Sequence, residues 1–268
     1  MSSGLVVTKI KNGVAEVCLN RPEKHNSLTL GMFHAIAHAG MKLQEDGGIR
    51  VAILHGAGPS FCSGLDFTLM SKILEGGEDG EAVVKALISD TSQTENLVQR
   101  VAMVWQRADF PVIAAVDGAA FGGGFQIMMG CDLRIASPNA QFSIMEAHYG
   151  LIPDMGITQT LPGVLRKDQA LELVLTARQF GSAEAARLGV ITRIEKDSLD
   201  SSRTLANDIA SRSPDAIKGC KRLFNDSWRS PRKEGLVLEA TIQKMLLGSV
   251  NQREAVASAM EKRPAIFE

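Results

Sequence analysis

Two glycine-containing turns, each placed after an apolar run typical of a strand, constrain this chain more than any other feature. The first turn is S-F-C-S-G-L-D-F at residues 60–67, and the second is A-A-F-G-G-G-F-Q at residues 119–126. Glycine lets the backbone turn tightly and approach a ligand, because it has no Cβ atom. The apolar stretch 125–129 then indicates a short helix, whose N-terminus carries free N–H donors. Two such donors stabilise negative charge on a carbonyl oxygen, which points to enolate chemistry of an acyl group.

The N-terminal half alternates strand-like and helical segments, which predicts an α/β fold with a sheet covered by helices. The predicted strands are 5–10, 14–19, 51–54 and 112–116, with a helix at 29–44 between the second and the third. The acidic, glycine-rich stretch 75–81 predicts an exposed loop. Residues 82–108 predict one long or broken helix, which Pro111 ends before the next strand.

From about residue 198 onward the hydrophobic pattern is helical. The predicted helices are 199–211, 214–228, 233–247 and 252–262. The chain is therefore predicted to have a core at 1–197, which carries the site, and a helical oligomerisation region at 198–268.

Composition excludes several classes of function. The formal net charge is −1, so no broad basic surface for nucleic acid is expected. No uninterrupted apolar run approaches the ~18 residues of a membrane span, and the first residues have no signal-peptide pattern. We therefore expect no membrane partner and a cytoplasmic location.

The four cysteines are widely scattered along the chain and lack C-x-x-C spacing or a histidine at ligand spacing. Neither a disulfide framework nor a metal site is predicted. Cys62 is adjacent to the first glycine turn, where we expect it to be a small packing residue, because no partner base is visible nearby.

Beyond the two turns, further segments match a known pattern in order and spacing: N-R-P-E-K-H-N-S-L at 20–28, C-D-L-R-I-A at 131–136, A-Q-F-S-I-M-E at 140–146 and E-K-R-P at 261–264. Through these segments and the two glycine turns, the chain resembles the crotonase superfamily, which is the enoyl-CoA hydratase and isomerase group. The resemblance implies a spiral of repeated ββα units with a C-terminal helical arm. It also implies an acyl-CoA thioester substrate with no separate cofactor, a homotrimer or hexamer, and a place in fatty-acid metabolism.

The resemblance assigns the two oxyanion-hole donors to the N–H groups of Leu65 and Gly123. Hydratases of the family hold a water between two glutamates, and this chain departs from that pattern because the first position is Gln126. An amide cannot exchange a proton, although it can position water or bind substrate. Glu146 occupies the second position among apolar neighbours, which raise a carboxyl pKa and suit it to acid–base catalysis.

Asp154 follows Glu146 with the E-x7-D spacing found in dienoyl-CoA isomerases. In those enzymes the two carboxyl groups exchange protons at opposite ends of the diene. An N-cap of the next helix is the alternative role for Asp154, since aspartate caps helices well. Those enzymes have a third acidic residue, and in this chain Gln126 stands at its position.

The resemblance also implies a set of substrate-binding residues around the two turns. They are Lys24, His25, Ser63, Gly64, Asp66, Phe67, Phe121 and Gln126. Lys262 and Arg263 are candidates for contacts with CoA phosphates, including those of a neighbouring subunit, or for plain solvation.

The leading prediction is an isomerase that shifts double bonds of an enoyl- or dienoyl-CoA through an enolate, with Glu146 as acid/base. Two alternatives stay open. The first is a 2-enoyl-CoA hydratase, a lyase, in which Gln126 and Glu146 together hold the water. The second is a non-catalytic acyl-CoA-binding protein that kept the fold.

Overall fold

The computed structural model describes residues 4–88 and 94–268. Its larger sheet has six strands in the order β1-β2-β3-β4-β6-β9, and its smaller sheet has three in the order β5-β7-β8. Only the β1–β2 and β7–β8 pairs are antiparallel. The strands are β1 Val6–Lys11, β2 Val14–Leu19, β3 Val51–Gly56, β4 Val112–Val116, β5 Ala119–Phe121, β6 Leu133–Ala136, β7 Gln141–Ser143, β8 Phe180–Gly181 and β9 Arg193–Ile194.

Helices connect and cover these strands. They are α1 Leu30–Glu45, α2 Phe67–Glu75, α3 Gly77–Ile88, α4 Leu97–Arg107, α5 Gly123–Met129, α6 Ile157–Thr160, α7 Lys167–Thr176, α8 Ser182–Leu188, α9 Ser198–Ala210, α10 Pro214–Ser227, α11 Arg232–Leu246 and α12 Val250–Glu261. Two 3₁₀ turns, Pro22–Lys24 and Glu146–Tyr149, complete the regular structure.

The central strands β3 and β4 of the large sheet are buried on both faces, as is usual in parallel sheets, whereas the edge strands β1 and β9 are largely exposed. Ala52 and Leu54 of β3 belong to the main core with helices α1 and α4, whereas Val51 and Ile53 face a second cluster under α9. Period-2 alternation along the strand explains this division. The α/β fold expected from the sequence is confirmed, and the carboxyl ends of β3 and β4 lead into the two glycine turns.

Two local expectations need correction. The stretch 75–81 is exposed except at Gly80 but is not a loop, because α3 begins at Gly77. Gly76 and Gly77 both have positive φ and break the chain between two helices, and Glu78 and Asp79 lie in the first turn of α3, where the helix dipole favours acidic groups.

The predicted helix at 82–108 is broken. Helix α4 starts afresh at Asn96, whose side chain accepts from the Gln99 N–H at 2.9 Å while the Gln99 side chain accepts from the Asn96 N–H at 3.1 Å. This capping box satisfies two N–H groups that would otherwise lack partners at a helix start. Residues 89–93 of the prediction lie outside the described residues.

The C-terminal helices match their predicted ranges within two residues at each end. Lys221 of α10 ties this region to the core, because its Nζ lies 2.8 Å from Asp132 and donates at 2.9 Å to the carbonyls of Trp105 and Phe110. The division of the chain at 197/198 stays a prediction, and α9 packs directly on the large sheet.

Within residues 4–88 and 94–268, no helix combines the length and the apolar character that crossing a membrane would require. All four cysteines are free. The same part of the chain contains no cluster of three or more histidine, cysteine, aspartate or glutamate side chains arranged to hold a metal ion.

Candidate active site

The first glycine turn is held by a buried asparagine that the sequence reasoning did not single out. Asn26 donates to the carbonyls of Ala57 and Ser60 at 2.9 and 2.8 Å and accepts from the Arg21 N–H at 2.8 Å. Its φ of 56° is left-handed, a conformation that asparagine tolerates better than most residues. The signal for this role was its place in the H-N-S run before the first turn.

The backbone around Gly64 aims one N–H away from the protein framework. Leu28 donates to the Gly64 carbonyl at 2.8 Å and accepts from the Asp66 N–H at 3.1 Å. These two hydrogen bonds form a β-bridge between Leu28 and Leu65. Leu65 lies between Gly64 and Asp66, so its own N–H points away from Leu28. Among the described residues, no oxygen accepts a hydrogen bond from that N–H.

The second turn brings a helix N-terminus to the same place. Gly122 has a φ of 50°, and Gly123 is the first residue of α5, where an N–H has no partner within the helix. Its neighbour Gly124 packs against the first turn, because a Cβ there would lie 2.2 Å from the carbonyl oxygen of Cys62.

The two turns converge at the predicted oxyanion donors. An added Cβ on Gly64, which has a φ of 93°, would lie 2.9 Å from the Phe121 oxygen and 3.7 Å from the Gly123 nitrogen. The structure therefore brings the Leu65 segment and the Gly123 N–H together at one end of α5. This arrangement suits a carbonyl oxygen that gains negative charge during a reaction.

Glu146 faces this meeting point from the 3₁₀ turn that it begins. Its Oε1 would lie 3.4 Å from a Cβ built on Gly122. The same Oε1 accepts from Gln126 Nε2 at 2.6 Å, whereas Oε2 is buried and has no hydrogen-bond partner within the described part of the protein. Burial raises the pKa of Glu146, its own backbone N–H and the bond from Gln126 oppose the rise, and the nearby charge of Asp154 adds to it.

Gln126 is fully buried on α5, and both ends of its amide are used. Its Oε1 accepts from the Met155 N–H at 2.8 Å, and its Nε2 donates to Glu146. The hydratase alternative pairs Gln126 with Glu146 around a water, and in the structure the two side chains contact each other directly. Its assignment as a substrate-binding residue stays a prediction, since both of its polar atoms already contact the protein.

Asp154 does not cap the next helix. Helix α6 begins at Ile157, and its N-cap is Gly156, so the cap alternative is wrong. Although Asp154 keeps an exposed surface, protein atoms around its carboxyl group raise its pKa by desolvation. The charge of Asp154 in turn raises the pKa of Glu146.

Asp66 is tied into the protein by hydrogen bonds, and its predicted role in substrate binding stays a prediction. One carboxylate oxygen accepts from the Thr68 N–H at 2.9 Å and caps α2, and the other accepts from Ser27 Oγ at 2.9 Å and from the Arg21 guanidinium. Burial alone would raise the pKa of Asp66, but the hydrogen bonds from Thr68, Arg21 and Ser27 hold it well below its usual range.

The other predicted binding residues line the first turn and its surroundings. Lys24 and His25 are exposed, and His25 Nδ1 lies 3.0 Å from Ser60 Oγ. The Ser63 N–H donates to the His25 carbonyl at 2.9 Å, and Phe121 is half-buried on β5. The Phe67 ring is 70% exposed and meets the Tyr149 ring edge-on, with centroids 6.4 Å apart, beside the 3₁₀ turn of Glu146.

Two other expectations concern residues around the site. Burial raises the pKa of the Cys62 thiol to about 12, so it stays protonated at neutral pH, in keeping with a packing role. Arg263 pairs with Glu254 and with Glu261 at 2.5 and 2.6 Å, which leaves little of its charge for a phosphate in this chain.

A cavity of about 1570 Å³ opens elsewhere, between the core and helices α10 and α11. Asp132, Lys221 and Trp228 are among its lining residues, and no predicted site residue is. The candidate active site is therefore the meeting point of the two glycine turns, where backbone donors and a carboxyl group of raised pKa come together, and not this cavity.

Comparison with known proteins agrees with this site. Residues 9–268 match the family model described as enoyl-CoA hydratase/isomerase. The chain belongs to the enoyl-CoA hydratase/isomerase family. It is 33% identical over 259 residues to the peroxisomal Delta(3,5)-Delta(2,4)-dienoyl-CoA isomerase of Arabidopsis thaliana, covering 96% of this chain and 93% of that protein. It is 30% identical over 263 residues to the short-chain-enoyl-CoA hydratase of Clostridium acetobutylicum, covering 96% and 95%.

A solved structure shows the same fold. The enoyl-CoA hydratase of Bacillus anthracis superposes with a TM-score of 0.86 at 25% identity, covering 98% of each chain. The expected crotonase superfamily membership and its α/β fold are thereby confirmed. Because the family contains both isomerases and hydratases, membership supports an acyl-CoA thioester substrate and leaves the reaction to the individual side chains.

Proposed function

We propose that this family member shifts a double bond of an enoyl- or dienoyl-CoA through an enolate. The observation that carries the proposal is the unpartnered, buried Oε2 of Glu146 beside the Gly122 turn, next to the Gly123 donor. A raised pKa makes a carboxyl group an effective proton carrier near neutral pH. Relatives that are named dienoyl-CoA isomerases add support.

In the proposed reaction, ionised Glu146 removes a proton from the carbon next to the thioester. The C–H electron pair becomes a carbon–carbon double bond, and the negative charge moves to the thioester oxygen. The Leu65 and Gly123 N–H groups stabilise that oxygen. Protonated Asp154 then delivers a proton at the far end of the conjugated chain, and the oxygen's charge returns to form the carbonyl. The double bonds have moved, and no atom is gained or lost.

Gln126 favours isomerisation over water addition. A hydratase of this family needs a second carboxyl group at that position, and the amide supplies neither a proton nor a free polar atom. The hydratase remains the second candidate, because relatives of similar identity carry that name. Changing Gln126 to Glu separates the two, since an isomerase should gain water-addition activity.

Glu146→Gln tests the proposal. We expect roughly 10³-fold lower turnover of the reactive CoA ester, because the base is lost, with CoA-ester affinity kept. Asp154→Asn should block proton delivery at the far end of a diene while exchange of the proton next to the thioester with solvent continues. The matched control is Glu81→Gln, which alters an exposed glutamate of α3.

Near-normal turnover in Glu146→Gln would refute the assignment. Tight CoA-ester binding with no turnover in the natural protein, unchanged by Glu146→Gln, would instead support a non-catalytic binding protein.

The predicted homotrimer or hexamer is part of the proposal. Support comes from large apolar side chains exposed on α10 to α12, including Phe224, Trp228, Leu236, Met245 and Met260. Light scattering at several protein concentrations checks it. A monomer at all concentrations would contradict it. The cytoplasmic location stays a prediction.

A further inference from the structure

The Gln126 amide has its orientation dictated by the backbone. The Met155 N–H can only donate, so the atom of Gln126 that faces it at 2.8 Å must be the carbonyl oxygen. The NH₂ group consequently faces Glu146 Oε1 at 2.6 Å. Because Gln126 is fully buried, no water competes for either atom.

This arrangement makes the two oxygens of Glu146 unequal. Oε1 is occupied by a donor that cannot turn away without leaving the Met155 N–H unpaired and buried, which costs free energy. Oε2 has no partner within the described residues. A proton that arrives at Glu146 therefore goes to Oε2.

We propose that Gln126 is a positioning residue for Glu146: its backbone-oriented amide holds one carboxylate oxygen and leaves the other as the single base of the site. This inference rests on the proposed function of Glu146 as acid/base. It gives Gln126 a role other than the predicted substrate binding, because each polar atom of the amide already makes a hydrogen bond within the protein.

The hydrogen bond from Gln126 lowers the pKa of Glu146, and the charged groups around this carboxyl group differ in their effect on it. Helix α5 carries no charged side chain, and the following loop contributes Asp154, which opposes ionisation of Glu146. Helix α7 packs on the 3₁₀ turn, but its charged residues are exposed and do not shift the pKa of Glu146, nor does His148 of the same turn. The charged groups on α7 are Lys167, Asp168 and Glu172. Among residues 4–88 and 94–268, no cation is a cause of the pKa shift of Glu146.

Two variants test the inference. Gln126→Met keeps the size of the side chain and removes both hydrogen bonds. Gln126→Glu keeps an acceptor for Met155 but turns an oxygen toward Glu146, so the two carboxyl groups must share a proton and titrate as a pair. Gln44→Met is the matched control, because its amide donates to two backbone carbonyls of α1 and α4 and has no contact with the site.

The first readout needs no substrate. NMR of protein with labelled glutamate carboxyls, assigned with Glu146→Gln, follows the ionisation of Glu146 against pH. We expect the pKa of Glu146 to be higher in Gln126→Met than in the natural protein, since the bond that favours the charged form is gone. Gln126→Glu should titrate in two steps, and Gln44→Met should match the natural protein.

The second readout is the pH profile of turnover. Activity rises with pH as Glu146 ionises, so the acidic limb should move to higher pH in Gln126→Met. At neutral pH we expect kcat to fall roughly tenfold with KM nearly unchanged. Thermal unfolding checks that the variants fold, and if Gln126→Met does not, Gln126→Glu carries both readouts.

Unchanged titration of Glu146 in both variants would overturn the inference. So would a change of KM alone, which would assign Gln126 to substrate binding. If the natural protein turns over no enoyl- or dienoyl-CoA but the titration of Glu146 moves as expected, the positioning role holds and the proposed function fails instead.

Discussion

Two carboxylates on either side of the oxyanion turns behave in opposite ways. Asp66 lies after the first turn and receives hydrogen bonds from Thr68, Ser27 and the Arg21 guanidinium, so its pKa is held well below its usual range. Glu146 faces the second turn, receives one amide N–H and keeps a buried oxygen without a partner among the described residues, so its pKa is raised.

The difference separates a structural carboxylate from a reactive one. Donors on both oxygens make Asp66 a permanent anion that caps α2 and fixes the loop whose Leu65 N–H faces the site. Fewer hydrogen bonds leave the pKa of Glu146 raised, which suits a group that takes up and releases a proton. Burial tends to raise the pKa of both, but the hydrogen bonds to Asp66 outweigh it, whereas those to Glu146 do not.

The largest effect is expected from Gly64→Ala, which changes the loop that Asp66 holds. The added Cβ would lie 2.9 Å from the Phe121 oxygen at a φ of 93°, so the Leu65 N–H must move. We expect kcat to fall by about 10²–10³, as for loss of an oxyanion donor. The acidic limb of the pH profile should stay in place, because Glu146 keeps its surroundings.

The control for this change is Gly47→Ala, where an added Cβ meets no atom within 4 Å. Unaltered kcat in Gly64→Ala would show that the first turn does not supply a donor.

A large loss of stability is expected from Asp66→Asn. The Arg21 guanidinium would lose its buried partner, which costs about 3 kcal/mol of unfolding free energy. Because the pKa of Asp66 is lowered by folding, this contribution is present at neutral pH and is lost as the pH falls below about 4. Urea unfolding at several pH values measures it.

Asp79→Asn, at an exposed position of α3, serves as the control for Asp66→Asn. A loss of stability that is the same at acid and neutral pH would contradict the account of Asp66.

The smallest effect, opposite in sign, is expected for the stability of Glu146→Gln. Folding raises the pKa of Glu146, so the natural protein loses stability as the pH rises through that pKa, whereas glutamine does not ionise. The variant should therefore be about 1 kcal/mol more stable at pH 8, a Tm gain of a few degrees, with no difference near pH 4. Calorimetry at the two pH values decides it, and a variant less stable at pH 8 would contradict a buried charge at Glu146.

The oxyanion half of the site could be predicted because its requirements are local. A positive φ at Gly64 and Gly122, together with a close backbone approach at Gly64, favours glycine, and that requirement is visible in the residue itself. The helix after the second turn is likewise encoded nearby, since Gly123–Met129 carries its own apolar run.

The acid–base half could be predicted only in part. The sequence places Gln126 on α5 and Glu146 after β7, but their 2.6 Å hydrogen bond depends on the pairing of β5 with β7. The Met155 N–H that orients the amide is a backbone group with no sequence signal. Asp154 was ambiguous for the same reason, because only the structure shows that Gly156 caps α6.

In the proposed reaction Glu146 moves a proton within the substrate, and no water is added. The most direct test of this reaction incubates the protein separately with 2-enoyl-, 3-enoyl- and 3,5-dienoyl-CoA and records the mass and ultraviolet spectrum of each product. We expect a changed chromophore at unchanged mass, with the diene as a substrate that needs Asp154. Gain of the mass of one water from the 2-enoyl-CoA, with no isomerised product from the other two, would contradict the account and make the protein a hydratase.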